Sequence, residues 1–160
     1  MDGRRPVKRF LCPVLIGRDD EVDELRGALN AATTRGEGSS HFIVGEAGVG
    51  KSRLARETII EARSLGFNVL HGRAVHADDA VAFRPFTEAL FSYFRDAGPP
   101  DIPELEPFQP TLARLVPEWS RPGIEVPDDS IVVLAEAILR LLRVVGRRRG
   151  CLLFLSLIHI

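Results

Sequence analysis

The chain has 160 residues, 45% hydrophobic and 27% charged, a balance that supports a globular domain with its own core and argues against disorder. Its formal net charge of −1 gives no electrostatic ground for nucleic acid or a membrane surface as a partner. Cys12 and Cys151 stand far apart without metal-ligand spacing, so neither a disulfide framework nor a zinc site has support, and the expected location is the cytoplasm.

The basic opening Arg4-Arg5-Pro6-Val7-Lys8-Arg9 is followed by an apolar run, Phe10 to Ile16, that Pro13 interrupts and that leads into Arg18-Asp19-Asp20. That run is too short, and its exit too charged, for a signal peptide; residues 1–14 read as a basic leader. Asp19 or Asp20 is then placed to cap a helix in which Val22, Leu25, Leu29 and Ala32 recur at helical spacing, with Gly36 and Gly38 ending it. His41-Phe42-Ile43-Val44 reads as a short buried strand, near 41–45, and a glycine-rich loop follows. Leu54, Ala55, Thr58, Ile59, Ala62 and Leu65 mark a second helix that Gly66 stops, and a second strand is expected near 67–71. Strand, loop, helix and strand together make a βαβ unit with a right-handed crossover in a parallel sheet.

Pro85 opens a helix through Leu90 and Phe94, after which Pro99, Pro100, Pro103, Pro107 and Pro110 break regular structure, leaving room for a short helix around Leu112 to Val116. Asp128, Asp129 and Ser130 offer caps for a strongly apolar helix through Leu134, Ile138, Leu141, Leu142 and Val145, ending near Gly146 and Arg147-Arg148-Arg149. A third buried strand is expected near 150–155.

The loop is Gly45-Glu46-Ala47-Gly48-Val49-Gly50-Lys51-Ser52. A nucleoside triphosphate is a chain of negative oxygens, held by aiming many donors at one small volume. The glycines leave space for a tight turn, so backbone N–H groups from about Glu46 to Ser52 can converge on the α- and β-phosphates. The following helix adds its positive end. Lys51 is expected to reach the β- and γ-phosphates, and the Ser52 hydroxyl to ligate Mg²⁺. A chain of this length and composition matches the pattern by chance roughly once in a thousand.

Three stretches carry a family resemblance: Leu15-Ile16-Gly17-Arg18-Asp19-Asp20-Glu21, Lys51-Ser52-Arg53-Leu54-Ala55 after the loop, and Gly72-Arg73 after the second strand. They resemble the AAA-type ATPase domain of large LuxR-type transcriptional regulators and of related signal-transduction ATPases of the STAND class. The resemblance implies an α/β fold, a P-loop NTPase three-layer sandwich with a parallel sheet, over residues 15–154. It implies ATP and Mg²⁺ as cofactors, adds Arg53 to the nucleotide-binding set, and gives Gly17 and Arg18 an accessory place beside the nucleotide. Implied partners are the nucleotide and the downstream domains of a longer protein, with self-association of that protein left open and no nucleic-acid or membrane contact in this segment.

The pattern breaks after Cys151-Leu152-Leu153-Phe154. Related ATPases show there an acidic pair that holds Mg²⁺ and orients the attacking water, in a run such as Leu-Glu-Asp-Leu-His-Trp; this chain reads Leu155-Ser156-Leu157-Ile158-His159-Ile160. Those six residues translate CTG TCT CTT ATA CAC ATC, the transposon end used in preparing sequencing libraries, so residues 155–160 are expected to be an adapter-encoded tail. Related ATPases also place a fourth strand between the first and third. An incomplete sheet with exposed apolar edges and poor solubility is therefore expected.

Other features carry less. His41, His71 and His76 lack metal-site spacing, Asp78-Asp79 reads as a solvated loop, and the arginines at 147–149 suit a helix end. Phe83, Phe86, Phe91 and Phe94 read as core rather than a base-stacking surface. A regulatory ATP switch, a P-loop kinase and a nucleotide-binding module without catalysis share such a loop. A GTPase has less support, because Lys8 and Lys51 are the only lysines and neither lies in an Asn-Lys-x-Asp motif.

Overall fold

The computed structural model describes residues 17–75, 83–95, 102–120, 122–123, 130–147 and 149–158. The leader with Cys12, Leu15 and Ile16, the residues His76, Asp78, Asp79, Pro99, Pro100, Asp128, Asp129, Arg148, His159 and Ile160, all singled out above, lie outside them.

Helix α1 runs Asp19–Arg35 and closes on Gly36 in the left-handed conformation. Asp19 and Asp20 lie inside its first turn with Glu21, not at the cap, where Arg18 stands; they act through the helix dipole, which favours negative charge at that end. Helix α2, Lys51–Ser64, ends in a Schellman turn. Gly66 N–H donates to Arg63 O at 3.0 Å and Phe67 N–H to Ala62 O at 2.9 Å, with Gly66 at φ 85°, a conformation a Cβ disfavours. Strand β1 follows as Asn68–Val75, helix α3 as Arg84–Phe94 with Pro85 in its first turn, helix α5 as Ile131–Gly146 and strand β2 as Cys151–Ile158.

The strands expected near 67–71 and 150–155 both form and pair in parallel, from Asn68 opposite Cys151 to Val75 opposite Ile158. The strand expected near 41–45 does not. Residues 36–46 are irregular, and Phe42 and Val44 are 89% and 86% exposed. A β-prone run becomes a strand by hydrogen bonding to a neighbour, and the described sheet has only the two strands β1 and β2, each paired with the other. The expected βαβ unit thus lacks its first strand; the parallel pair is joined by the long connection through α3 and α5. The short helix expected at 112–116 lies earlier, as α4, Gln109–Leu112, because Pro110 suits a first helical turn and a 3₁₀ stretch, Pro103–Phe108, feeds into it.

Alternation along the strands sends side chains to two separate cores. On one face Leu70, Cys151 and Leu153 join Phe86, Ala89 and Leu90 of α3, Leu134, Ala137 and Leu141 of α5, and Leu105, Leu112 and Trp119 of the proline-rich segment. On the other, Val69 and Leu152 meet Leu29 of α1 with Ala62 and Phe67. Helices therefore cover both faces of the pair. Of the four phenylalanines expected in the core, Phe86 is buried and Phe94 packs edge-on to Trp119 at 5.2 Å, whereas Phe83 and Phe91 are exposed.

Three side chains fasten the pair. Asn68 Nδ2 donates to Val145 O at 2.6 Å, which satisfies a carbonyl in the last turn of α5. The backbone N–H of Arg73 donates to Glu88 Oε2 of α3 at 3.1 Å. His71 stacks on Phe154 at 5.1 Å between ring centroids.

Gly72 explains part of the Gly72-Arg73 signature, since a Cβ there would stand 1.7 Å from Pro85 O and 3.1 Å from Ala89 Cβ. Gly72→Ala must push α3 off β1, and we expect a loss of at least about 2 kcal/mol in denaturant unfolding. Burial pushes the His71 imidazole below its ordinary 6.5, and the nearby Arg73 charge adds to this. The unfolded chain then takes up the proton more readily than the folded one, so the contribution of His71 to stability is whole above 6.5 and is lost as pH falls from there through the lower folded-state value. The drop in unfolding midpoint from about pH 7 to about pH 5 should be smaller in His71→Phe.

Candidate phosphate-binding loop

Three residues separate α2 from β1, so the two run antiparallel and the first turn of α2 lies toward the C-terminal ends of the strands, about 20 Å from the Schellman turn. Open parallel sheets characteristically bind ligands at that end. The loop 45–50 enters α2 there.

Its shape is set by glycine. Gly50 is the N-cap of α2 at φ 96° and Gly48 has φ 82°, both in the left-handed region where other residues are strained. Val49 N–H closes the turn on Glu46 O at 3.4 Å, and Arg53 and Leu54 N–H groups both reach Gly50 O at 3.0 Å. The amides of Lys51 and Ser52, one step earlier, have no helical carbonyl behind them. Gly50 offers no side chain to cap them, so the positive end of the dipole stays available to an anion.

Lys51 folds back over the loop. Its Nζ donates to Gly45 O at 2.6 Å and to Glu46 O at 2.8 Å, so a full positive charge sits at the mouth of the turn that the glycines form. Glu46, Ala47 and Ser52 are exposed and Arg53 is half-buried. The Ser52 hydroxyl, in the first turn of α2 beside Lys51, has the chemistry of a single hard-cation ligand.

Of the two residues given an accessory place, Arg18 is drawn to the loop: its Nη2 donates to Val49 O at 2.9 Å while Nη1 pairs with Glu21 at 3.3 Å. Gly17 makes the left-handed turn before it, at φ 75°, with nothing within 4 Å of where a Cβ would stand. Two partners were not singled out from the sequence. Glu21 was legible, three residues beyond Arg18 on one helix face. Glu61 was not: it joins α2 to Arg26 of α1 at 2.8 Å, across a separation in sequence that periodicity does not report. Both ends of that pair are partly solvated, so it contributes little to stability.

In the second half of β2, Leu155 pairs with Gly72 and Ser156 with Arg73. Strand β2 carries no carboxylate. Among the described residues no group of three His, Cys, Asp or Glu side chains could hold a metal ion, and no helix is long and apolar enough to cross a membrane. His41, expected in a strand or loop, is in the irregular segment and bonds Glu24 and Ser39. Arg147, expected to be solvated at a helix end, pairs with Glu104 at 2.5 Å.

Comparison with known proteins adds one finding: the family model described as AAA ATPase domain matches residues 14–159. Neither the curated proteins nor the solved structures gave a match.

The left-handed cap makes the loop sensitive to a single methyl group. Gly50→Ala should cost about 1–2 kcal/mol, read as a lower melting temperature.

Proposed function

Because the chain belongs to the AAA ATPase domain family, we propose that the turn 45–53 binds ATP with Mg²⁺, and that the domain serves a regulatory switch whose full-length form hydrolyses ATP slowly. The family itself accounts for nucleotide binding and ATPase chemistry in general terms. The finer reading is supported above all by the position of Lys51, whose ammonium is tied to Gly45 O and Glu46 O at the mouth of a turn preceding uncapped helix amides.

The residues divide the work by charge. Backbone N–H groups of Gly48, Gly50, Lys51 and Ser52 supply dipoles suited to the α- and β-phosphates, and Lys51 exchanges two carbonyl partners for phosphate oxygens. Ser52 would hold Mg²⁺ through its hydroxyl. The metal, when bound, neutralises charge on the β- and γ-phosphates. Glu46, Ala47, Val49 and Arg53 shape the loop and its first helical turn, and Gly17 and Arg18 support it from α1. The whole is consistent with a P-loop NTPase three-layer sandwich, since helices pack on both faces of the strand pair.

A second reading, nucleotide binding without hydrolysis by these 160 residues, is favoured by one observation. The second half of β2 carries Leu155 and Ser156 and the strand has no carboxylate, so it offers no side chain that holds a metal-bound water as a carboxylate does. The location we propose is cytoplasmic. The partners are downstream regulatory domains, such as those of LuxR-type regulators, with self-association of the longer protein open. We propose also that residues 155–160 are adapter-encoded. Independent genomic reads continuing through the same codons would refute that.

Isothermal titration distinguishes these readings. ATP with Mg²⁺ should bind the wild-type chain and bind Lys51→Ala about a hundredfold more weakly, while phosphate release stays at background for both. Equal affinity in the two chains would remove the site as drawn. GTP binding tighter than ATP would overturn the choice of nucleotide.

A further inference from the structure

We infer that Arg18 is a positioning residue for the polyphosphate, acting through the Val49–Gly50 peptide and not by touching the nucleotide. The inference rests on the phosphate-binding reading of the loop and deepens it. Both terminal nitrogens of the guanidinium have a protein partner: Nη2 donates to Val49 O at 2.9 Å and Nη1 pairs with Glu21 Oε1 at 3.3 Å. Its side chain is only 19% exposed, and its Nε lies 4.0 Å from where a Cβ on Gly50 would stand. A planar fork with two occupied arms is a brace between α1 and the loop.

What the brace fixes follows from peptide geometry. In a trans peptide the carbonyl and the next N–H lie in one plane and point in opposite directions. With Val49 O held against Arg18, the Gly50 N–H on the opposite edge of the same peptide is aimed away from Arg18. Fixing it matters because Gly48 and Gly50 leave the neighbouring torsions nearly free: the same permissiveness that allows φ 82° and φ 96° allows the peptide to rotate out of that orientation. A charge-assisted bond to the carbonyl holds one orientation before any anion arrives, which reduces the ordering cost of binding. Glu21, one turn into α1, keeps the guanidinium from swinging out to solvent.

The test separates polyphosphate from base. Arg18→Gln, Arg18→Lys and Glu21→Gln are titrated with inorganic tripolyphosphate, with ATP and Mg²⁺, and with adenosine followed by ligand-observed NMR, beside wild type and Lys51→Ala. A positioning role predicts about a tenfold loss for tripolyphosphate and ATP in Arg18→Gln with adenosine unchanged. Arg18→Lys should show no rescue, because one ammonium cannot bridge both partners in that geometry. Glu21→Gln should give a smaller loss with the same selectivity, and it serves in place of Arg18→Gln if that variant does not fold. Equal weakening of ATP and adenosine with tripolyphosphate unaffected identifies a base contact and overturns the inference, as does unchanged tripolyphosphate affinity in Arg18→Gln or, where that variant is unfolded, in Glu21→Gln. If wild type binds no tripolyphosphate or ATP, the phosphate-binding reading itself fails, an outcome distinct from wild-type binding that Lys51→Ala alone abolishes.

Discussion

Strands β1 and β2 lie side by side in parallel, and because successive side chains of a strand point to opposite faces, this one pairing creates two cores at once. Leu70 and Leu153 go one way; Val69 and Leu152 go the other. Neither helical layer could bury its apolar stripe without the face thus presented. The close approach of α3 to β1, which requires Gly72, and the Asn68 bond to the last turn of α5 both depend on the same alignment.

The two cores are unequal. The α3 and α5 side buries Phe86, Leu90, Leu105, Leu112, Leu134 and Leu141 together, and at about 1.5–3 kcal/mol for each large side chain removed from water it supplies most of the hydrophobic stabilisation. Among the described residues the cluster on the other side has Leu29, Ala62 and Phe67 as its buried members, with Leu54 and Ala55 also buried on α2. The loop and its lysine are attached to this lighter side, through α2 and through the polar ties Arg18 to Val49 and Arg26 to Glu61. Functional loops are commonly drawn from the less stable part of a fold. Here the reason is visible in the packing: in the segment ahead of the loop Phe42 and Val44 are exposed and Ile43 is only half-buried.

The chemistry of the loop is consistent with this arrangement. A positive charge, a helix end and glycines at left-handed torsions occupy one short segment, so the proposed phosphate-binding apparatus is largely local. Its orientation is not local. Arg18 lies 31 residues before Val49, and only the docking of α1 beside α2 brings its guanidinium to the carbonyl that it holds.

From the residues alone came the loop, its lysine and serine, the helices at 19–35, 51–64, 84–94 and 131–146 to within a few residues, and two strands. Each is written in short-range pattern: 3.6-residue periodicity, alternation, and glycine or proline at ends. The folded chain decided what depends on neighbours far away in sequence. His41 to Val44 have the composition of a strand, yet no described strand lies beside them to complete the hydrogen bonds, so they remain irregular. The family resemblance gave Arg18 an accessory place beside the nucleotide, but its bond to Val49 O follows from how α1 packs. Local propensity is a property of a segment, whereas pairing and bracing are properties of two segments held together. That is why the proposed phosphate-binding turn could be read from eight residues and the contact that braces it could not.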